Sequence, residues 1–467
     1  MSTIVLYPSP GMGHLVSMVE LGKLIIKHHP SFSIIVLTLI PSFNTGTTAA
    51  YVRHISATFP AITFHHLPDI PLDPNLFPSM EAIIFELILQ SNPNVEHALQ
   101  SIISLSSNIV AFVIDLFCSP AFTFAEKLNL RVYYFFTSGA CCLAQWLYFP
   151  TLDKTTNQSF KDMNTLIHSP GLPPIPSLDM IGPFLDRTTT IYATLLEFCN
   201  LLAKSNGIIV NTFDSMEPKA IKAIADGVCV PNRPTPPIYC VGPLVATVGD
   251  GSRECLNWLD LQPRGSVVYL CFGSLGVFSS DQLKEIAKGL EMSGVRFLWV
   301  VRSPPSDKKE DRFLPPPEPD LDVLLPKGFL DRTKDRGFVV KNWAPQVVVL
   351  SHKSIGGFVT HCGWNSVLEA VSFGVPMVAW PLYAEQRFNK VVLTEEMKLA
   401  LPIEELKDGT VSAVEVEKRV RQLIEGDEGK FVREISTMTK EEATLALSDG
   451  GSSRVALSKL VASLGCF

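Results

Sequence analysis

Residues Trp343–Gln386, WAPQVVVLSHKSIGGFVTHCGWNSVLEAVSFGVPMVAWPLYAEQ, determine the fold prediction for this chain of 467 residues. A strand-like apolar run, Ile355–Thr360, leads into the turn His361–Gly363, and an apolar-periodic helix follows that ends at Gly374. A strand, a tight turn and a helix start leave unpaired backbone N–H groups where an anion can bind. The segment therefore predicts a phosphate site in an α/β sheet.

The polar residues around this turn suit a nucleotide diphosphate. Trp364, Asn365 and Ser366 form the first helical turn, whose N–H groups and positive dipole end favour a diphosphate without a lysine cluster. His361, Asn365 and Ser366 add side-chain donors. Glu369 lies on the same helix face, and we expect it to accept hydrogen bonds from neutral hydroxyls such as those of a ribose.

The two ends of the segment add a base and a sugar contact. Trp343 offers a flat ring for stacking, and Glu385 and Gln386 follow the strand-like run Val375–Trp380 at its carboxyl end, where ligands of open α/β sheets gather. An ordinary doubly wound fold explains the strand, the glycine and the helix start. It gives no reason for these polar residues to occur together, which favours a binding function.

The whole segment resembles the signature box of the plant secondary-product glycosyltransferases, family 1 of the UDP-sugar-dependent enzymes. The similarity extends over essentially the full chain, including Trp258–Asp260, Ser266–Tyr269 and Phe272–Ser274. The resemblance implies the GT-B fold, an α/β architecture of two Rossmann-like doubly wound domains that face each other, with the active site in the cleft between them. It also implies an enzyme that needs UDP-glucose as donor substrate and no prosthetic group.

Position by position, the resemblance assigns each contact of the donor. Uracil stacks on Trp343, Ala344 touches the base through its main chain, and Gln346 and Glu369 lie near the ribose. The terminal Gln386 is similar to glucose-using members, and Trp364 stands where members that transfer glucuronic acid often carry Arg. The complete set of donor-site residues implied in this way is Ser9, Thr137, Ser274, Trp343, Ala344, Gln346, His361, Gly363, Trp364, Asn365, Ser366, Glu369, Glu385 and Gln386.

Composition favours a large soluble enzyme and disfavours other classes. The chain is 46% hydrophobic and 18% charged and is long enough for two domains of roughly 200–250 residues each. A net charge of −7 without a basic stripe argues against a nucleic-acid partner. We expect no membrane span, no signal peptide, a cytoplasmic location and a monomer. The ten cysteines lack zinc or disulfide spacing.

Apolar β-rich runs alternate with helical patterns in two successive sets, which predicts two parallel sheets. We expect domains over residues 1–243 and 244–451, joined near the turn-rich Gly249–Ser252, with a helix in residues 452–467 that returns to the first domain by family resemblance. The predicted strands are Ile4–Tyr7, Ser33–Ile40, Ile62–His65, Ile109–Ile114, Val132–Phe136, Gly207–Asn211, Ser266–Cys271, Val295–Val301, Gly337–Val340, Ile355–Thr360 and Val375–Trp380.

A catalytic base is predicted in the first strand-to-helix turn. His14 follows Gly11 and Gly13 at the carboxyl end of the first strand, and Asp115 ends the fourth predicted strand at the same sheet edge. An Asp bonded to one imidazole nitrogen would fix the tautomer and leave the other nitrogen to take a proton. The alternative for Asp115 is a helix N-cap. The family resemblance also implies a His–Asp dyad at these positions.

The predicted reaction is an inverting transfer of glucose to a phenolic hydroxyl, giving a β-glucoside. By resemblance, Thr137 or Ser138 reaches a sugar hydroxyl and Ser9 assists near the phosphates, with capping of the following helix as the alternative for these residues. The resemblance points to plant phenolics such as flavonoids, chalcones or smaller phenols as acceptors. The expected apolar acceptor wall comprises Met12, Phe117 and Leu195.

Other readings of the sequence remain open. A nicotinamide-dependent reductase shares the doubly wound halves, but Val16 stands where the fingerprint needs a third glycine. A protein that binds nucleotide sugars without catalysis would keep the signature box. Another donor sugar, such as UDP-glucuronic acid, or C-glycosylation is compatible with the same residues. Asp320-Leu321-Asp322 matches a metal-binding D-x-D pattern but lies in the proline-rich insertion Ser303–Lys327, so no metal site is predicted.

Overall fold

A computed structural model of the chain describes residues 2–41, 47–77, 79–105, 108–246, 253–306 and 317–465. The described residues form two compact units. The first lies within Met1–Leu178, Pro183–Ala246 and Leu445–Phe467, and the second within Asp179–Gly182 and Thr247–Thr444. Gly249–Ser252, the expected linker, lies outside the described residues, as do residues 307–316 of the proline-rich insertion.

The first unit is built on a seven-stranded parallel sheet in the order β3-β2-β1-β4-β5-β8-β9. All six predicted strands are present, with ends shifted by at most two residues. The short edge strand β9 was missed because three residues are too few for a periodicity to register. The strands are β1 Ser2–Tyr7, β2 Phe32–Thr38, β3 Ile62–His66, β4 Ile109–Asp115, β5 Val132–Phe136, the antiparallel pair β6 Leu166–Ile167 and β7 Ile175–Pro176, β8 Gly207–Val210 and β9 Ile238–Cys240.

Helices connect these strands, as parallel pairing requires. A short 3-10 helix, Leu116–Ala121, also follows β4 directly. The α-helices are α1 Met12–His28, α2 Thr47–Thr58, α3 Met80–Leu105, α4 Phe122–Lys127, α5 Ala140–Thr155, α6 Thr190–Leu202 and α7 Pro218–Ala225.

The second unit contains a six-stranded parallel sheet in the order β12-β11-β10-β13-β14-β15. The five predicted strands are present, although the last is shorter than predicted, and the edge strand β15 was missed. The elements are α8 Arg253–Asp260, β10 Val267–Cys271, α9 Ser280–Ser293, β11 Arg296–Val301, α10 Leu321–Leu324, α11 Phe329–Thr333, β12 Gly337–Lys341, α12 Gln346–Ser351, β13 Ile355–Thr360, α13 Trp364–Phe373, β14 Met377–Ala379, α14 Gln386–Val391, a π-helical turn Val392–Glu396, β15 Ala400–Pro402, α15 Ala413–Glu425 and α16 Asp427–Leu447.

The ends of helix α9 are set by local residues, whereas one of its side chains is positioned by a tertiary contact. Its N-cap Ser279 accepts a hydrogen bond from the Gln282 N–H at 3.2 Å, and Gly294 ends the helix in the left-handed region. Ser279 and Gln282 have the spacing of a capping box, but only the Ser279 half of it is formed. The Gln282 side chain instead exchanges two 2.8 Å hydrogen bonds with the backbone of Val411, because pairing this buried backbone satisfies more polar groups than a second cap bond would.

Each sheet reverses its strand order once, and that point is where a doubly wound sheet opens a crevice at its carboxyl edge. In the first unit the reversal lies between β1 and β4, which pair in parallel with Tyr7 opposite Ile114. In the second unit it lies between β10 and β13, where Cys271 is opposite Thr360. The residues that follow these four strands therefore occupy the crevice of their own sheet.

The last helix, α17 Ser452–Ser463, packs in the first unit. Its Ser453 hydroxyl donates to the carbonyl of Gly242 at 2.6 Å, and Arg131 donates to the carbonyls of Ser463 and Leu464 at 2.9 and 2.5 Å. Leu457 and Leu460 join the apolar core beneath the sheet. No helix among the described residues is long and apolar enough to cross a membrane.

Candidate active site

The turn between β13 and α13 forms the candidate phosphate site at the reversal point of the second sheet. Cys362 adopts a positive φ of 66°, and Gly363 is the N-cap of α13. Asn389 of α14 donates to the Cys362 carbonyl at 3.0 Å and so fixes the turn from below. Because Gly363 has no side chain to cap the helix, the first N–H groups of α13 are presented to the crevice.

His361 is held in this turn by two glycines. A Cβ on Gly273 would lie 2.5 Å from His361 Nε2, and one on Gly363 would lie 2.4 Å from the same atom. Only glycine at both positions leaves room for the ring. Burial lowers the pKa of His361 to about 4, so the imidazole is neutral near pH 7. Its buried Nδ1 has no hydrogen-bond partner among the described residues.

Gln346, Ser366 and Glu369 form a connected polar group on α12 and α13. The Gln346 amide nitrogen donates to Ser366 Oγ at 2.8 Å and to Glu369 Oε2 at 2.7 Å. Burial raises the pKa of Glu369 to about 7, and the hydrogen bond from Gln346 opposes that rise. Gln346 and Glu369, which the resemblance placed at the ribose, are therefore hydrogen-bonded to each other. Gln346 also connects them to Ser366, which was expected at the diphosphate.

Trp343 and Ala344 follow β12, the strand at the edge of the second sheet. Trp343 is 60% exposed, which is unusual for so large a ring and leaves a face available for stacking. The preceding Asn342 has a positive φ of 63°, and the Trp343 N–H donates to the Lys341 carbonyl at 2.7 Å, so a tight turn orients the ring. Ala344 is buried beside it.

Ser274 lies in the loop after β10, next to a cation that was not among the predicted site residues. Arg302 directly follows β11, and its Nη1 donates to the Ser274 carbonyl. Burial lowers the pKa of Arg302, yet a guanidinium remains charged. The sequence predicted phosphate binding by a helix start and neutral side-chain donors, without a cation. The available signal was an arginine directly after a buried strand at the ligand-binding edge.

Glu385 and Gln386 lie at the start of α14, with Glu385 as its N-cap. The Gln386 side-chain oxygen accepts hydrogen bonds from the backbone N–H groups of Leu382 and Tyr383 at 2.8 and 2.9 Å, so it also shapes the loop that carries it. Burial raises the pKa of Tyr383 to about 12, and a hydrogen bond from the Gln386 side chain opposes that rise. Trp364 is buried at the start of α13, and its neighbour Asn365 is partly exposed.

His14 and Asp115 come together at the reversal point of the first sheet. His14 Nδ1 lies 2.8 Å from Asp115 Oδ2, with the carboxylate 1% exposed and the imidazole 30% exposed. Asp115 Oδ1 accepts a hydrogen bond from the Phe117 N–H at 3.0 Å, so the carboxylate also caps the 3-10 helix that follows β4. Capping and pairing with His14, which the sequence offered as alternatives, occur together.

Three hydroxyl residues, Thr137, Ser9 and Ser138, are expected near the sugar and the phosphates, and they differ in exposure. Thr137 Oγ1 lies 3.4 Å from His14 Nδ1 and is partly exposed. Ser9 and Ser138 are buried, at 3% and 8% exposure. The Ser138 hydroxyl has no hydrogen-bond partner among the described residues, and α5 has no side-chain cap of its own, so helix capping does not explain Ser138.

The expected apolar acceptor wall is only partly supported by burial. Phe117 is partly exposed and meets His14 edge to face, with ring centroids 5.6 Å apart. Phe85 of α3 packs against Phe117 at the same distance and was not anticipated. Met12, two residues before His14 in sequence, is also partly exposed. Leu195, the third expected wall residue, is 0% exposed within α6 and packs with the buried face of that helix.

The D-x-D sequence has a local structural role. Asp320 is the N-cap of α10, and its Oδ1 accepts a hydrogen bond from the Asp322 N–H at 3.1 Å. Across the ranges that the structure describes, no group of three or more His, Cys, Asp or Glu side chains is arranged to hold a metal ion.

Comparison with known proteins agrees with this geometry. The profile of the family described as "UDP-glucoronosyl and UDP-glucosyl transferase" matches residues 225–447. The chain is 51% identical to UDP-glycosyltransferase 88B1 of Stevia rebaudiana over 465 residues, covering 99% of this chain and 98% of that protein. It is 49% identical to a phloretin 2'-O-glucosyltransferase of Malus domestica, covering 99% of both.

A solved structure matches over the whole chain as well. Phytolacca americana UGT2, complexed with UDP-2fluoro-glucose and pterostilbene, is 38% identical and superposes with a TM-score of 0.90, with 100% of both chains covered. The fold is α/β with two Rossmann-like units, the GT-B class that the sequence predicted. By full-length identity to its relatives, the chain belongs to the family of UDP-glucoronosyl and UDP-glucosyl transferases.

Proposed function

We propose that this chain is an inverting glucosyltransferase that moves glucose from UDP-glucose to a hydroxyl of a plant phenolic such as a flavonoid, a chalcone or a smaller phenol. The observation that carries the proposal is the 2.8 Å contact between His14 and Asp115 at the reversal point of one sheet. The second sheet carries a helix-start anion site at its own reversal point. One relative is named as a phloretin 2'-O-glucosyltransferase, and the UGT2 structure is complexed with pterostilbene, which are both phenols.

The reaction follows from what these groups can do. His14 Nε2 takes the phenolic proton while the phenol oxygen forms a bond to the anomeric carbon. The bond from that carbon to the β-phosphate oxygen breaks on the opposite face, so the α-linked donor gives a β-glucoside and UDP leaves. Asp115 holds the tautomer and stabilises the imidazolium by its negative charge.

The second unit supplies the donor contacts in this proposal. Trp343 stacks on uracil, and the ionised carboxylate of Glu369 accepts hydrogen bonds from the ribose hydroxyls. The N–H groups at the start of α13 stabilise the charge that develops on the departing diphosphate. His361, neutral because of its low pKa, contributes a hydrogen bond rather than a charge. Glu385 and Gln386 contact the glucose hydroxyls.

The test is turnover of the purified protein with UDP-glucose and a panel of phenols, read as UDP release and product mass. His14→Ala should lower kcat by about 10²–10⁴-fold while the Kd for UDP stays within about twofold. His54→Ala, an exposed histidine of the same unit, is the matched control. Wild-type UDP binding without turnover on any phenol would favour a nucleotide-sugar binding protein instead.

The donor and the linkage are tested on the same samples. UDP-glucose should be used at least about tenfold more efficiently than UDP-glucuronic acid, since Trp364 provides no positive charge for a sugar carboxylate. An O-linked product is cleaved by acid or β-glucosidase, whereas a C-linked product resists both. We further propose a cytoplasmic monomer, which light scattering of the purified protein and imaging of a fluorescent fusion would check.

A further inference from the structure

Glu217 is a buried carboxylate that the reaction does not use. Glu217 is only 2% exposed to solvent. Both of its carboxylate oxygens accept hydrogen bonds from the protein. Oε2 accepts from the Ala140 N–H at 2.8 Å and from the Thr212 hydroxyl, and Oε1 accepts from the Cys141 N–H at 2.8 Å. Burial raises the pKa of this carboxyl, and the hydrogen bonds from Cys141, Thr212 and Ala140 oppose that rise because they favour the ionised form.

The contacts with Ala140 and Cys141 replace a missing helix cap. Ala140 and Cys141 are the first two residues of α5, and N–H groups in the first turn of a helix lie outside its regular backbone hydrogen-bond pattern. Ser, Thr, Asp or Asn usually caps such groups, but the N-cap here is Gly139, which has no side chain. Glu217 supplies the acceptors from 76 and 77 residues further along the chain. The negative charge also lies at the positive end of the α5 dipole.

The capped helix start adjoins the base. The turn Thr137–Gly139 joins β5 to α5, and Thr137 Oγ1 lies 3.4 Å from His14 Nδ1. On one side this turn is fixed by β5 in the sheet, where Phe135 is opposite Asp115. On the other side it is fixed by the two hydrogen bonds to Glu217. A shift in the first turn of α5 would therefore displace Thr137 relative to His14.

We propose that Glu217 is a positioning residue for glucosyl transfer, which holds Thr137 against His14 by capping α5. The inference rests on the proposed function. A carboxylate is needed because both oxygens act only as acceptors. Glutamine has the same shape but turns an NH₂ group toward one of its N–H or O–H partners, and aspartate is one methylene shorter.

The test compares Glu217→Gln with the same substitution at Glu197, an exposed residue of α6. We expect Glu217→Gln to lower kcat roughly tenfold or more, because displacements on the order of 1 Å in a catalytic geometry cost up to about 10²-fold. The Kd for UDP should stay within about twofold, since most of the donor-site residues, including those expected at the base and the ribose, belong to the other unit. Glu197→Gln should match the wild type.

A double-mutant cycle with Thr137→Ala separates positioning from general stability. If Glu217 acts through the turn, Thr137→Ala lowers kcat, and adding Glu217→Gln lowers it by less than about twofold more. Multiplicative effects would mean that Glu217 acts elsewhere, and a wild-type kcat for Glu217→Gln would overturn the inference. If Glu217→Gln does not fold, Glu217→Asp carries the same expectations. An inactive wild type would instead refute the proposed function.

Discussion

Asp115 binds two partners at once: Oδ2 lies 2.8 Å from His14 Nδ1, and Oδ1 accepts the Phe117 N–H at 3.0 Å. The second bond fixes the carboxylate plane, so the first can orient the imidazole. One side chain thereby links the geometry of the base to the start of the 3-10 helix after β4.

Asp115→Asn should therefore affect both rate and stability. An amide can accept the Phe117 N–H but carries no charge to stabilise an imidazolium, so we expect kcat to fall by about 10²–10⁴-fold. The free energy of unfolding should fall by about 1 kcal/mol, as for a weakened cap. Steady-state kinetics and urea denaturation check both. Asp162→Asn, at an exposed position, is the control, and an unchanged kcat would remove Asp115 from the mechanism.

Gly363→Ala should weaken donor binding without straining the backbone. Gly363 has a φ of −64°, which any residue adopts, but the added Cβ would lie 2.4 Å from His361 Nε2. Overpacking of this kind costs about 1–3 kcal/mol, or roughly 5- to 150-fold in the Kd for UDP. Calorimetric titration with UDP measures the change.

The matched control for this substitution is Gly22→Ala in α1. A Cβ there meets the side chains of Ile34 and Leu6 at an ordinary 3.4 Å. The Kd for UDP should stay at the wild-type value. Equal affinities for the Gly363→Ala variant and the wild type would show that His361 is not constrained as the structure indicates.

Donor binding should release a proton near neutral pH. Burial raises the pKa of Glu369 to about 7, above its usual 4.5, so the carboxyl is mostly protonated at pH 6. Hydroxyl donors favour the ionised form, so UDP-glucose should displace most of one proton at pH 6 and almost none at pH 8. Both phosphates of UDP-glucose are esterified and do not titrate here. The nearby Tyr269 and Cys271 have raised pKa values and stay neutral.

Calorimetry at pH 6 in two buffers of different ionisation enthalpy counts this proton. Glu369→Gln should abolish the release, and release that persists in the variant would assign the proton to another group.

The raised pKa of Glu369 also makes the free energy of unfolding depend on pH in the absence of donor. The folded chain holds a proton that the unfolded chain has lost between about pH 4.5 and 7, so this stabilising contribution is present below pH 4.5 and disappears as the pH rises through 7.

Phe117→Ala and Leu195→Ala should separate an acceptor contact from a core contact. Phe117 is partly exposed beside His14, so its loss should raise the KM for a phenol roughly tenfold or more and leave the KM for UDP-glucose unchanged. Leu195 is fully buried, so its truncation should lower the free energy of unfolding by about 2–5 kcal/mol with little change in KM. A large KM effect for Leu195→Ala would instead support Leu195 as part of the acceptor wall.

Removal of divalent metals should leave turnover largely intact. The Asp320 carboxylate accepts a hydrogen bond from the Asp322 N–H, as an N-cap does, and in the proposed reaction the start of α13 stabilises the leaving diphosphate. EDTA should therefore change kcat by less than about twofold, and Asp322→Asn should behave like the wild type. Complete loss of activity with EDTA that Mn²⁺ restores would contradict this prediction.

The sequence by itself determined the parallel α/β class, the strand–turn–helix around His361 and the positions of His14 and Asp115 at strand ends. Those features are local, because apolar runs, glycine turns and helix caps depend on residues within one or two turns of each other. The carboxyl ends of parallel strands share one edge, so even the meeting of His14 with Asp115 followed from the strand pattern.

Only the tertiary structure decided which polar atoms pair across long separations. Nothing near Gly139 indicates that Glu217 caps α5, or that Gln282 bonds Val411 rather than its own helix start. The same holds for the inward face of Leu195 and the contact of Arg302 with Ser274. These outcomes depend on where buried hydrogen-bonding groups of distant segments meet, because each such group must find a partner and the partner's position is set by the packed fold.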